Sequence, residues 1–207
     1  GSGSTWQKLA SGMSDRFLCI MPDLMGHGKT ASPADPGRYH MEEAVQDLHC
    51  MLLELGISKV HVIGYSMGGR LALAFASLYP HMVSSLVLES ASPGLKGEAE
   101  RKARIKQDCE LATFILEEGM EAFVEYWRNI PLFRSQQFMP ASIQEQVHRE
   151  RLRNSSAGLA NSLLGMGTGM QDSYWEQLSS VQAPTLLITG SLDDKFCKIA
   201  GQMRLVL

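Results

Sequence analysis

The stretch Gly64-Tyr65-Ser66-Met67-Gly68 has the spacing that most directly suggests chemistry in this chain. A serine with glycine two residues away on each side can sit on a sharp strand-to-helix turn, with a strained backbone and an exposed hydroxyl. The helix N-terminus behind it favours developing negative charge, and the backbone N–H of Met67 would be one of two oxyanion donors. With Gly and Ser each near 7% of residues, a bare motif of this kind arises by chance in roughly one protein in fifteen of this length. Context decides in its favour: it follows the apolar run Val60-His61-Val62-Ile63 and opens a helix of small residues from Gly69 to Ala76. A carboxylate follows late in the chain, in Thr189-Gly190-Ser191-Leu192-Asp193-Asp194. Asp193 is the predicted acid of a Ser-His-Asp set, while a helix N-cap role suits Asp194 better. The third member, a histidine 20 to 30 residues after Asp193, is not found, since His148 is the last histidine before Leu207. His27, His40, His49, His61, His81 and His148 fall in loops, on helix faces or inside a strand, and none is predicted to be the base.

These side chains must be carried by regular elements. Phe17 to Met21 reads as a short buried strand, followed by a Gly-, Pro- and Asp-rich loop from Asp23 to Arg38. Met41, Ala44, Val45, Leu48, Met51, Leu52 and Leu55 form a helical stripe closed by Gly56. Val60 to Ile63 is a second strand, the helix after Ser66 ends at Tyr79-Pro80, and Val83 to Leu88 is a third strand. Such alternation implies parallel βαβ units with helices on both sheet faces. From residue 97 to 180 only helical patterns occur: Glu98 to Glu118 capped by Gly119, Met120 to Asn129, Ser142 to Arg153, and Leu159 to Met166. Thr185 to Thr189 is a strand again. The predicted organisation is a core over residues 1–96, a helical lid insertion over 97–180, and a return to the core over 181–207.

Composition excludes several classes. With 207 residues, 44% hydrophobic and 20% charged, the chain can bury one sizeable core, and a net charge of −3 gives no broad basic field for nucleic acid. Cys19, Cys50, Cys109 and Cys197 are far apart and form no CxxC pair, which points to reduced cytoplasmic cysteine rather than a disulfide framework or a metal site. No apolar run approaches the ~18 residues of a membrane span, and no signal peptide is evident. A cytoplasmic location is expected.

From Gly64 to Arg70 the chain resembles the 2-succinyl-6-hydroxy-2,4-cyclohexadiene-1-carboxylate synthases of menaquinone biosynthesis, members of the α/β-hydrolase superfamily. Asp23-x-x-Gly26-His27-Gly28, Pro93-Gly94-Leu95, Ile130-Pro131-Leu132-Phe133 and Gly190-x-x-Asp193-x-Lys195-Phe196 carry the resemblance further, as does the segment from Gly158 to Gly169. It implies an α/β-hydrolase fold, a mostly parallel sheet flanked by helices with a helical lid. It also implies a lyase that eliminates pyruvate from a succinyl-enolpyruvyl cyclohexene carboxylate, with the triad serine as base toward a ring proton and no cofactor or metal required.

A small polycarboxylate substrate calls for cations, and the arginine fork pairs with carboxylates through two contacts. Arg70, four residues after Ser66, lies on the same helical face. The resemblance aligns Arg104, Arg153, Trp127 and Tyr65 with further substrate-binding positions. Each has a plainer reading: Arg104 among Arg101, Lys102, Lys106 and glutamates fits a solvated helix face, Arg153 ends a basic run, and Trp127 fits a core aromatic. The twelve methionines fit core and lid packing.

The family's His-Gly-Phe oxyanion loop precedes a glycine-serine segment, and here the chain begins at Gly1-Ser2-Gly3-Ser4. This segment reads either as an engineered linker or as native chain, and Thr5-Trp6 favours the latter. Together with the missing histidine, this predicts a fragment truncated at both ends and inactive alone. Two other functions fit the same residues less well: an ester or thioester hydrolase, which has no use for the arginines, and a non-catalytic binding module, which has no use for Ser66 and Asp193.

Overall fold

A computed structural model describes residues 2–207; Gly1 lies outside the described residues. The chain forms two compact units, Gly1–Tyr39 with Lys106–Gly165, and His40–Ile105 with Met166–Leu207.

The second unit contains the sheet. Helix α2 (Met41–Glu54) buries Met41, Ala44, Val45 and Leu52, one face of the predicted stripe. It ends where Gly56 takes a φ of 68°, with Gly56 N–H donating to Leu53 and Ile57 N–H to Leu52, so a left-handed residue satisfies the last carbonyls. Strand β1 (Val60–Tyr65), helix α3 (Met67–Leu78) and strand β2 (Val83–Glu89) follow, and β3 (Thr185–Ile188) precedes helix α7 (Asp194–Met203). The three strands are parallel, with β2 in the centre: Ile63 pairs with Val87 and Leu88 with Leu187. Every residue of α3 from Gly69 to Ala76 is buried, the small ones (Gly69, Ala72, Ala74 and Ala76) alternating with Leu71, Leu73 and Phe75. Leu73 and Leu86 are completely buried, and truncating either to Ala would cost about 2–5 kcal/mol.

The first unit is helical. It contains α1 (Gln7–Ser11) and α5 (Ala141–Leu152), together with α4 (Glu98–Arg128) from Lys106 onward and α6 (Ser156–Met166) up to Gly165. Ile115, Phe123 and Val124 form its core, with Leu152, Leu159 and Leu163 packed against them. Helix α4 is broken at Gly119 (φ 82°), the predicted cap. The glycines of α6 face the loop from Asp23 to Tyr39: a Cβ on Gly158 would sit 2.8 Å from the Cα of Gly26, and one on Gly165 would sit 2.7 Å from the Cβ of Tyr39. Between them, Asn161 donates to the Pro33 carbonyl at 2.9 Å.

Loop 23–39 therefore groups with helix α6, whereas the sequence reading draws its boundaries at 96/97 and 180/181. No strand occurs between residues 97 and 180, among the described residues.

One expectation fails. Phe17 to Met21 is extended but joins no ladder, and Phe17 (42%) and Leu18 (83%) are substantially exposed. Apolar character favours burial, but a strand also needs a partner for its backbone groups, and a single segment's composition cannot supply one. Gly3, in contrast, is integral to the fold: it is buried, its N–H donates to Asp23 Oδ1 at 2.7 Å, and a Cβ there would collide with the Met21 carbonyl.

Among the described residues no helix is long and apolar enough to cross a membrane. All four cysteines are free thiols.

Candidate active site

Ser66 stands between β1 and α3 with φ 51° and ψ −113°. For a residue with a Cβ this is a strained conformation, costing on the order of 1–3 kcal/mol. The surroundings enforce it. The Ser66 N–H donates to the Glu89 carbonyl at the end of β2 (2.8 Å), and its own carbonyl accepts from Arg70 N–H (3.0 Å), the first turn of α3. As the N-cap of α3, Ser66 makes no side-chain cap bond, so its hydroxyl is not engaged by the helix it precedes.

The glycines act unequally. A Cβ on Gly64 would press into the Gly68 carbonyl group and lie 2.6 Å from the Gly69 Cα. One on Gly69 would lie 2.5 Å from the Cβ of Ala91. Around Gly68 there is open space. Close approach of backbones thus requires Gly64 and Gly69, while Gly68 contributes its carbonyl rather than a missing side chain.

A second serine shares the backbone strain. Ser90 follows β2 with φ 46° and donates its N–H to Ile188 at the end of β3 (2.9 Å). Ser66 and Ser90 are the only non-glycine residues with positive φ among the described residues, and both lie at C-terminal strand ends. Parallel sheets place ligands at these ends. The sequence holds no signal for Ser90, because its strain depends on pairing with a strand almost a hundred residues away.

Asp193 lies at the same end of the sheet, five residues past β3. Its Oδ1 accepts the Phe196 N–H at 3.1 Å, which makes it the N-cap of α7. The sequence reading gave that cap to Asp194; it belongs to Asp193, because the Gly190 carbonyl accepts the Asp193 N–H at 3.0 Å and the helix opens one residue later. The cap engages Oδ1 and fixes the carboxylate.

Tyr65, the last residue of β1, is 42% exposed, and Met67 opens α3, where a helix does not satisfy its own N–H groups. Arg70 is buried, and its Nη1 donates to Gln171 Oε1. On α4, Lys102 and Lys106 pair with Glu98 and Glu110 on a solvated face, while Arg104 is half-buried. Arg101, not singled out from sequence, reaches the Gly169 carbonyl (3.2 Å) and Asp172 (3.4 Å).

Two predicted site residues lie in the helical unit. Trp127 packs against the Ile115–Phe123–Val124 core and tilts on Phe123 and Phe133, with ring centroids 5.4 and 5.8 Å away. Arg153 is the exposed C-cap of α5, whereas Arg151 covers the Phe133 ring at 4.8 Å.

Three of the histidines are engaged elsewhere. His27 is buried with Nδ1 3.0 Å from the Met25 carbonyl, and burial pushes its pKa down to about 4, so it is neutral at neutral pH. His61 bonds Ser85, and His49 stacks on Tyr79. Asp23 beside His27 stays ionised: burial alone would raise its pKa, but the N–H groups of Lys29 and Gly3 hold it below the ordinary value. No group of side chains suited to hold a metal ion occurs among the described residues.

Comparison with known proteins agrees with this geometry. The family model for the alpha/beta hydrolase fold matches residues 1–198. A Bacillus subtilis (strain 168) protein, named provisionally as a 2-succinyl-6-hydroxy-2,4-cyclohexadiene-1-carboxylate synthase, is 49% identical over all of this chain and 75% of its own length. An Enterobacter sp. (strain 638) protein of the same name is 30% identical over 98% of this chain and 76% of its own. The solved structure of MenH from S. aureus superposes with a TM-score of 0.93 at 34% identity, covering 99% of this chain and 77% of that one. A hydrolase from Pseudomonas aeruginosa PA01, at 22% identity and a TM-score of 0.79, shares the fold. The chain belongs to the α/β-hydrolase family and, within it, to the group of the 2-succinyl-6-hydroxy-2,4-cyclohexadiene-1-carboxylate synthases.

Proposed function

We propose that this protein eliminates pyruvate from 2-succinyl-5-enolpyruvyl-6-hydroxy-3-cyclohexene-1-carboxylate to give 2-succinyl-6-hydroxy-2,4-cyclohexadiene-1-carboxylate, a step of menaquinone biosynthesis in the cytoplasm. The observation that carries the reading is Arg70 one helical turn after Ser66, a buried cation in the first turn of the helix that the strained serine opens. A simple esterase has no need of that charge, and a substrate bearing several carboxylates does. Ser66, activated by a histidine, takes a proton from the ring. The electron pair forms a double bond between ring carbons 2 and 3, the double bond between carbons 3 and 4 shifts to carbons 4 and 5, the bond from carbon 5 to the enolpyruvyl oxygen breaks, and the departing enolate takes a proton to become pyruvate. Met67 N–H is assigned as a donor to the developing oxyanion. Asp193, with Oδ1 fixed by the α7 cap, orients the histidine.

The resemblance assigns Arg104, Arg153, Tyr65 and Trp127 to substrate binding. None of the six histidines of residues 1–207 is assigned the part of the activating histidine. The intact mass of the protein from its native source, set against 22.8 kDa, tells which form to assay. Pyruvate release is then followed with a coupled lactate dehydrogenase assay. Release that is abolished in Ser66→Ala supports the reading. Hydrolysis of neutral esters without pyruvate release, unaffected by Arg70→Ala, would replace it with the hydrolase.

A further inference from the structure

Arg70 is held by a side chain that nothing in its own sequence neighbourhood predicts. Its Nη1 donates to Oε1 of Gln171, one hundred and one residues away. Gln171 is only 2% exposed, and its Nε2 is buried with no hydrogen-bond partner. Arginine has donors only, so the amide oxygen must face it and the amide nitrogen must face elsewhere. An unpaired buried N–H is unfavourable, and methionine or leucine would fill the same space without it. What the glutamine supplies, and methionine or leucine would not, is the side-chain hydrogen bond to Arg70.

The backbone that presents Gln171 is fixed on both sides. The Gln171 N–H donates to the Gly167 carbonyl at 3.0 Å, and Tyr174 N–H to Pro93 at 2.7 Å. Trp175 Nε1 donates to the Gly94 carbonyl at 3.0 Å. Gly94 has φ +103°, and a Cβ on it would lie 3.0 Å from the Asp172 carbonyl oxygen and 3.2 Å from Gln171 Nε2. On the other side Arg101 ties down the Gly169 carbonyl. A side chain on so constrained a segment can set the plane of a guanidinium, and a guanidinium binds a carboxylate through two contacts only when its plane is right.

We infer that Gln171 is a positioning residue for Arg70: its amide oxygen fixes the plane of the guanidinium and, being neutral, adds no negative charge to compete with a substrate carboxylate. This rests on the reading of Arg70 as a carboxylate-binding group. A glutamate at the same position would orient Arg70 equally well but would compete for it as an ion pair. The identity of the residue therefore matters beyond its shape.

The test is a set of steady-state measurements of pyruvate release by the native-length protein, with thermal unfolding of each variant. Gln171→Met is expected to raise KM about 10-fold, the loss of roughly one charge-assisted hydrogen bond's worth of binding, with kcat changed less than about 3-fold and Tm unchanged. Gln171→Glu is expected to raise KM more, by about 100-fold. The effect of Gln171→Met should vanish in an Arg70→Lys background, where no guanidinium plane is left to set, if the two residues act as one unit. Equal loss in Gln171→Met and Gln171→Glu with falling Tm would overturn the inference, because a packing role does not discriminate charge. A Gln171→Met effect that adds to that of Arg70→Lys would overturn it as well. If Arg70→Ala and Arg70→Lys both leave KM unchanged, the carboxylate role of Arg70 fails and this inference fails with it. If they raise KM while the Gln171 variants do not, only the positioning role is lost.

Discussion

Two glycine-rich loops of this chain carry polar side chains, and they differ in what those side chains are left to do. In the loop from Asp23 to Gly28, the Asp23 carboxylate takes the N–H groups of Gly3 and Lys29, and His27 is buried against the Met25 carbonyl. In the turn from Gly64 to Gly69 the backbone is equally constrained, yet the Ser66 hydroxyl makes no cap bond to α3. Both loops depend on positive φ or on missing Cβ atoms. What separates them is the engagement of the side chain. A loop whose polar groups satisfy one another is a structural fastener, and one whose strained backbone presents an unengaged hydroxyl is a candidate for chemistry.

The largest expected effect tests that division directly. Ser66→Ala should lower kcat for pyruvate release by at least about 10³-fold, worth roughly 4 kcal/mol of barrier. Unfolding free energy should change by less than about 1 kcal/mol, because no hydrogen bond of the side chain to α3 is lost. A stability loss of the same size as the activity loss would make the turn another fastener.

Gly26→Ala should show the reverse pattern. Its φ is +76°, and a Cβ would lie 2.5 Å from the Tyr39 ring and 2.9 Å from the Gly158 Cα. Backbone cannot give way as a side chain does, so a destabilisation of about 3 kcal/mol or more is expected in urea unfolding. In whatever protein remains folded at low temperature, kcat should be close to that of the parent.

The third effect is read in pH. The folded pKa of His27 is about 4 and its ordinary value is 6.5. The unfolded chain therefore binds the proton first. Stability is fully present above pH 6.5 and is lost as pH falls from there towards 4, by on the order of 2–3 kcal/mol. In His27→Gln that part of the pH dependence should be absent between pH 7 and pH 4.5. Asp23, held below its ordinary value of 3.8, adds its own loss only under more acidic conditions.

The sequence made the two loops legible to different depths. Short-range features came through: the α2 stripe with its Gly56 stop, the strand before Ser66, the small-residue helix after it, and the break at Gly119 all follow from spacing and residue type. Features that require a distant partner did not. Phe17 to Met21 has strand-like composition but no ladder, and Ser90 acquires its strain through Ile188. Gln171 reaches Arg70 across one hundred and one residues of the chain. Loop 23–39 joins helix α6 through glycines that meet only in three dimensions. Hydrophobic periodicity reports which face of an element is buried, and is silent about which element covers it.

The smallest expected effect bears on the motif itself. A symmetrical reading gives both flanking glycines the same duty, but only Gly64 lacks room for a Cβ, since Gly68 lies in the first turn of α3 facing open space. Alanine is favoured over glycine in a helix by about 0.5–1 kcal/mol, so Gly68→Ala should raise stability by about that amount, measured as a shift of the urea midpoint. Gly64→Ala, in contrast, should cost several times as much. The space beside Gly68 is then defined by kinetics. If Gly68→Ala raises KM for the enolpyruvyl substrate while stabilising the fold, the space above the turn is occupied by substrate, and the glycine is held there by binding rather than by backbone geometry. If stability rises and KM does not move, the second glycine of the motif is dispensable in this chain, and the strain at Ser66 is maintained by Gly64, Gly69 and the Glu89 carbonyl alone.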